Sequence, residues 1–160
     1  MHWSLLATLL HEVVAVIFIA GLVGRWILLT RASRADEVET SYLLSQSAAP
    51  FERMVITFSQ LILPTGLFAA WVRGYPWIGF GTGWVVVSIV VTLSILPLVF
   101  LILVPRGRTF EAAMADARRQ STWTAELRAA FADRGVALAR RWELASVAIV
   151  LSLMVLKPAF

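Results

Sequence analysis

The chain has 160 residues, of which 59% are hydrophobic and only 15% charged, with a mean hydropathy of +0.80. That balance excludes an ordinary soluble domain, in which about half the residues are apolar and about a quarter charged, and seven Trp and nine Phe exclude a disordered or fibrous chain. The absence of Cys excludes disulfides, thiolate metal sites and cysteine nucleophiles, and the net charge of +4 comes from arginines set against apolar stretches, with no nucleic-acid-reading motif.

Apolar stretches at about residues 3–30, 54–72, 83–104 and 142–157 predict an all-α fold, a four-helix transmembrane bundle forming one integral membrane domain over residues 1–160. A spanning helix needs about 20 residues. The fourth stretch is short, and the helix-compatible Leu138-Ala139-Arg140-Arg141 before it can lengthen it, with arginines snorkelling to the interface. No Lys or Arg precedes Arg25 and His11-Glu12 breaks the first apolar run, so a cleaved signal peptide is not expected.

In the first span, the ionisable interruptions are His11, Glu12 and Arg25. Such residues are costly in lipid and face the bundle interior by default. Arg25 follows His11 by fourteen residues, which returns to within about 40° of the same helix face about 21 Å further along. Ala15, Phe18 and Leu22 lie between them, so this line is expected to face inward. Neutral imidazole is a common haem and metal ligand, which makes His11 the candidate metal ligand. The only other histidine, His2, lies on the same helix and offers no facing partner. The plainer reading of His11 is a hydrogen bond across helices to Ser, Thr, Gln or a backbone carbonyl. Arg25 reads either as a clamp for an acidic group such as a haem propionate or as a snorkelling side chain near the interface. Glu143 is placed to pair with Arg25, Arg53 or Arg141.

The first connection carries Arg31, Arg34 and Arg53, and its 36–47 segment predicts one or two helical turns ending before Pro50. In the second and third spans, Pro64 and Pro97 free the carbonyls of Gln60 and Leu93. With Ser59, Thr65, Thr92 and Ser94 near them, a small polar cavity is one reading, and hydroxyl-satisfied kinks are the other. Between these spans, Arg73-Gly-Tyr-Pro-Trp-Ile-Gly-Phe-Gly-Thr-Gly is a tight aromatic turn that places Trp77 and Phe80 at the interface or against a partner.

The third connection, residues 105–141, predicts a helix N-capped by Thr109 and a second helix from about Ser121 or Thr122. Trp123, Leu127, Ala130 or Phe131, and Leu138 form an amphipathic face expected to lie on headgroups or a partner. Twelve of the fourteen basic residues flank the first and third connections, leaving Arg73 and Lys157 for the opposite side. Both large connections are therefore expected in the cytoplasm and both termini outside, N-out/C-out. Trp3, Trp71, Trp77 and Trp84 would form the outer aromatic belt, and Trp26 and Trp142 the inner one.

The segments Leu10-His-Glu-Val-Val-Ala-Val-Ile-Phe-Ile-Ala-Gly-Leu22, Leu103-Val-Pro-Arg-Gly-Arg108 and Leu153-Met-Val-Leu-Lys-Pro158 resemble the DUF-2269 family of predicted bacterial integral membrane proteins. The resemblance covers essentially the whole chain and implies a four-span protein of the bacterial inner membrane. More distantly, the spacing from His11 to Gly21 resembles that of four-helix membrane protoporphyrinogen oxidases and copper-resistance D-type proteins. That resemblance implies haem b as candidate cofactor, with His11 as ligand and Lys157 as the lysine to consider beside it. No Ser/His/Asp set or zinc-hydrolase motif can be assembled from two histidines at one end. The expectation is therefore a non-catalytic accessory or assembly subunit, contacting lipid and a membrane-protein partner and no nucleic acid. The alternative is a haem-binding redox protein with His11 as axial ligand and Arg25 and Lys157 near the cofactor.

Overall fold

The computed structural model describes residues 3–75 and 82–158. Its elements are helical: α1 (Trp3–Ala32), α2 (Val38–Ser47), α3 (Ala49–Val72), α4 (Gly83–Leu93), α5 (Ile95–Leu98), a π-helical turn (Val99–Leu103), α6 (Val104–Arg119), α7 (Ala125–Phe131) and α8 (Arg134–Leu156). The expected all-α membrane bundle is what the chain forms. Among the described residues, three helical stretches are long and apolar enough to cross a membrane, Trp3–Ala32, Val38–Val72 and Gly83–Arg119. α8 is the exception, because Arg134, Arg140, Arg141 and Glu143 interrupt its first half.

α1 and α3 form the tightest pair and run antiparallel. His11 meets Thr65, Gly21 meets Val55 and Arg25 meets Glu52, so the numbers of facing residues sum to 76 or 77. Small residues permit this approach, as they do between membrane helices generally. A Cβ on Gly21 would stand 3.0 Å from Val55 and 3.1 Å from the Phe51 carbonyl, and a Cβ on Gly24 would enter the Phe51 ring. Phe18, Leu22 and Val55 are buried here, and Leu144 and Val147 of α8 pack against them, joining the pair to the rest of the bundle.

α8 packs along α4 and the π-helical turn. Asp133 caps its start by accepting from the Val136 N–H at 3.0 Å, and Lys157 ends it in a left-handed conformation with φ of 42°, just before Pro158. The expected lengthening of the fourth apolar stretch is present, and 23 residues give a rod of about 35 Å.

Pro64 lies inside α3 without ending it, whereas Pro97 lies in a stretch where α4 gives way to α5 and the π-helical turn. Ser59, Thr65, Thr92 and Ser94 donate to carbonyls of their own helices, at Ile56, Leu61, Val91 and Ser88 among them. These hydroxyls bind carbonyls other than those of Gln60 and Leu93, so they do not satisfy the groups that the prolines free.

The two large connections fold onto each other. Val38, Met114, Ala117 and Leu127 form a small core ringed by Tyr42, Phe110, Trp123 and Phe131. Arg118 reaches across it, 3.8 Å from the Tyr42 ring centre and in a bidentate pair with Glu39 at 2.8 and 3.0 Å. Trp123 donates to the Asp36 carbonyl. The amphipathic face expected to lie on headgroups or a partner is therefore covered by the chain's own α2 and α6. Leu138 does not belong to it, being on α8 and 69% exposed.

Three local expectations are also corrected. Thr109 is not an N-cap, because helix α6 already runs through Val104–Arg108 and the Thr109 hydroxyl donates to the Arg106 carbonyl. The helix expected from Ser121 or Thr122 starts later, with Thr124 capping it by accepting from the Leu127 N–H. Trp84 is buried in edge contact with Tyr75 at 5.6 Å and so does not face lipid as a belt residue. His2, Trp77 and Phe80 lie outside the described residues.

Candidate functional site

The inward line predicted on α1 exists: Phe18, Leu22 and Arg25 are buried, and His11 is half-buried. Its two ionisable ends meet different surroundings.

At the Arg25 end, one guanidinium joins three helices. Its Nη1 donates to both carboxylate oxygens of Glu52 on α3, at 3.1 and 3.2 Å, and its Nη2 to Glu143 on α8 at 2.5 Å. Arg25 is only 6% exposed, so it does not snorkel. The expected partner Glu143 is found, and Glu52 joins it. Arg140, half-buried one turn before Glu143, lines the same cavity as Arg25, Trp26 and Leu144. That cavity measures about 10 Å³, room for one water. Two arginines and two glutamates leave this cluster formally neutral, which is the condition for keeping charges at membrane depth.

At the other end, His11 Nδ1 lies 3.1 Å from the Thr65 hydroxyl, the cross-helix hydrogen bond of the plainer reading. Thr65 Oγ1 lies 2.7 Å from the Leu61 carbonyl, and a carbonyl can only accept, so the hydroxyl proton is committed there. Thr65 then accepts from His11, which places the imidazole proton on Nδ1. The Nε2 lone pair is buried and has no hydrogen-bond partner. The ring lies on the bare Cα of Gly66, where a Cβ would stand 2.9 Å from Cε1. One turn nearer the N-terminus, Arg73 donates to Thr8 at 2.9 Å, tying the end of α3 to α1.

Lys157 is elsewhere. Its ammonium lies 5.5 Å from the Tyr75 ring centre, at the C-terminal end of α8. The three residues expected around a cofactor thus occupy three environments: His11 with Thr65, Arg25 between two carboxylates, Lys157 over Tyr75. Among the described residues, no group of three or more His, Asp or Glu is arranged to hold a metal ion. His11 Nε2, buried without a hydrogen-bond partner among the described residues, keeps its coordinating lone pair.

Glu52 was missed because the apolar run of the second span begins after it. The available signal was the helix-starting Pro50 at the first turn, which places Glu52 inside α3, facing the end of the first span.

Long apolar helices, a glycine-lined helix interface and a neutral ion cluster between rods define a helical integral membrane protein. The chain belongs to the DUF2269 family, described as predicted integral membrane proteins, and matches its profile over residues 5–158. No curated protein and no solved structure matches the chain.

Proposed function

We propose that this protein is a non-catalytic accessory or assembly subunit of a larger membrane complex in the bacterial inner membrane. The observation that carries this reading is the uneven covering of the bundle. The rod from Gly83 to Leu103 packs mainly on α8, and Val90, Leu96, Phe100 and Leu101 point away from the chain. Among the three candidate spans in the described residues it is the one that the rest of the chain covers least. The most conspicuous buried charges, by contrast, are spent on one another, as expected of groups that hold helices together.

The same reading has four spans, with both termini outside. The two large connections form one core and so lie on one side of the bilayer. α8 starts at that side, where Arg106 pairs with Asp133, and ends beside Tyr75 in the turn between the second and third rods. Its length of about 35 Å suffices to cross a hydrocarbon core of about 30 Å. Twelve basic residues on the core's side support a cytoplasmic location for it.

Extraction in mild detergent followed by native electrophoresis tests the assignment. The 17.7 kDa chain is expected to migrate in a larger assembly, and migration alone would overturn the reading.

His11 Nε2 favours a second reading, a haem-binding redox protein. A half-buried imidazole whose proton sits on Nδ1 and whose Nε2 is buried without a partner would hold haem b through Nε2, and the haem would supply one-electron chemistry. Arg25 is already held by two carboxylates and is a poor propionate clamp. Natively purified protein should then show a Soret band that His11→Ala abolishes. Protein without that band excludes this reading.

A further inference from the structure

The Arg25 cluster fixes the depth of three helices against one another. Arg25, Glu52 and Glu143 touch through their side chains, so the adjoining turns of the three helices lie at the same end of the bundle. Successive helix residues point about 100° apart, so on each helix the residue on one side of the inward group, such as Phe51 or Leu144, packs into the bundle while residues on the other side turn out. Trp26, Arg53 and Trp142, each next in sequence to one of the three, and Arg141, two residues before Glu143, are exposed. The Trp142 indole is held in place by donating to Ser94 Oγ at 2.9 Å.

This level therefore presents two indoles and two guanidiniums to the surroundings, while its carboxylates are turned in and bound to Arg25. Among the described residues, Arg53 and Arg141 belong to no ion pair. Beyond them, Arg31 and Arg108 are also exposed and unpaired. The carboxylates of this end outside any ion pair among the described residues, Asp36, Glu37, Glu111 and Glu126, are exposed on the connections and their helices. A guanidinium fork matches phosphate oxygens in pairs, and indoles settle at headgroup depth.

We infer that Arg53 and Arg141, flanked by Trp26 and Trp142, form a binding level for the phosphates of anionic phospholipid headgroups. It does not require a protein partner or a cofactor.

The full chain in detergent, titrated with phosphatidylglycerol or phosphatidylcholine and followed by native mass spectrometry, tests this. Wild-type protein should retain phosphatidylglycerol preferentially. Removing both charges as R53Q/R141Q should reduce that preference by about thirtyfold, at roughly fivefold per arginine near the membrane surface. R34Q/R128Q removes two exposed arginines of the connections and should leave the preference intact. Equal retention of the two lipids overturns the proposal, as does an equal loss in R34Q/R128Q, which would indicate diffuse attraction. Displacement of phosphatidylglycerol by inorganic phosphate would identify free phosphate as the ligand and overturn the lipid assignment. Far-ultraviolet circular dichroism verifies that both variants remain folded.

Discussion

The two ends of α1 treat their ionisable side chains in opposite ways. Arg25 is saturated, with two carboxylates from two other helices closing around it. His11 is half-satisfied, with one nitrogen bound to Thr65 and the other buried without a partner. Both occupy the inward face of the same helix, so orientation alone does not explain the difference. α8 does: it brings Glu143 to Arg25, and no comparable side chain reaches His11. A saturated charge fixes helix positions, while a bare imidazole lone pair retains chemical capacity.

The largest expected effect comes from breaking the saturated end. Glu143→Ala leaves Arg25 with Glu52, whose side chain is about half exposed, and should cost about 3–5 kcal/mol in detergent unfolding. Replacing Arg25 and Glu143 together with Met and Leu should recover most of that loss, because the desolvation penalty disappears with the charges. A double variant as unstable as Glu143→Ala would show that the cluster itself holds the three rods.

How much of this contrast could be read from sequence follows from which elements are local. The inward line of α1 was legible, and Arg25 was one of three partners open to Glu143, since both rest on helical periodicity and the rarity of charge in apolar stretches. Glu52 was not, because it sits outside the apolar run that marked the second span. Thr109 misled because a cap requires non-helical backbone before it, and Val104–Arg108 remain helical. The covering of Trp123, Leu127 and Phe131 was beyond local reading. It depends on Val38 and Tyr42, whose neighbours in sequence say nothing about what they meet.

The half-satisfied end can be sharpened through Gly66. Gly66→Ala adds a methyl group 2.9 Å from His11 Cε1 and should destabilise by about 1–3 kcal/mol through overpacking. Combined with His11→Ala, the same substitution should cost much less than the sum, because the clash disappears with the ring. Additive losses would mean that Gly66 serves some other close approach. His11→Ala alone should cost about 1 kcal/mol, the usual scale of one cross-helix hydrogen bond. A loss as large as that of Glu143→Ala would erase the contrast between the two ends.

The smallest expected effect separates a charge held at the membrane surface from those held within it. Asp133 caps α8 and pairs with Arg106. The Val136 N–H donating to it, helped by Arg106, holds its carboxyl below the usual carboxylate range. Ionised Asp133 is thus favoured by folding, and its contribution is complete above the unfolded value of about 3.9 and lost as pH falls through the lower folded value. Asp133→Ala should cost about 1 kcal/mol near neutral pH, the usual worth of a cap. Measured as the wild-type-minus-variant difference, that cost should hold down to about pH 5 and shrink below about pH 4, while other carboxylates titrate equally in both proteins. A difference that persists in acid would show that the cap works through packing at the start of α8 and not through the ionised carboxylate.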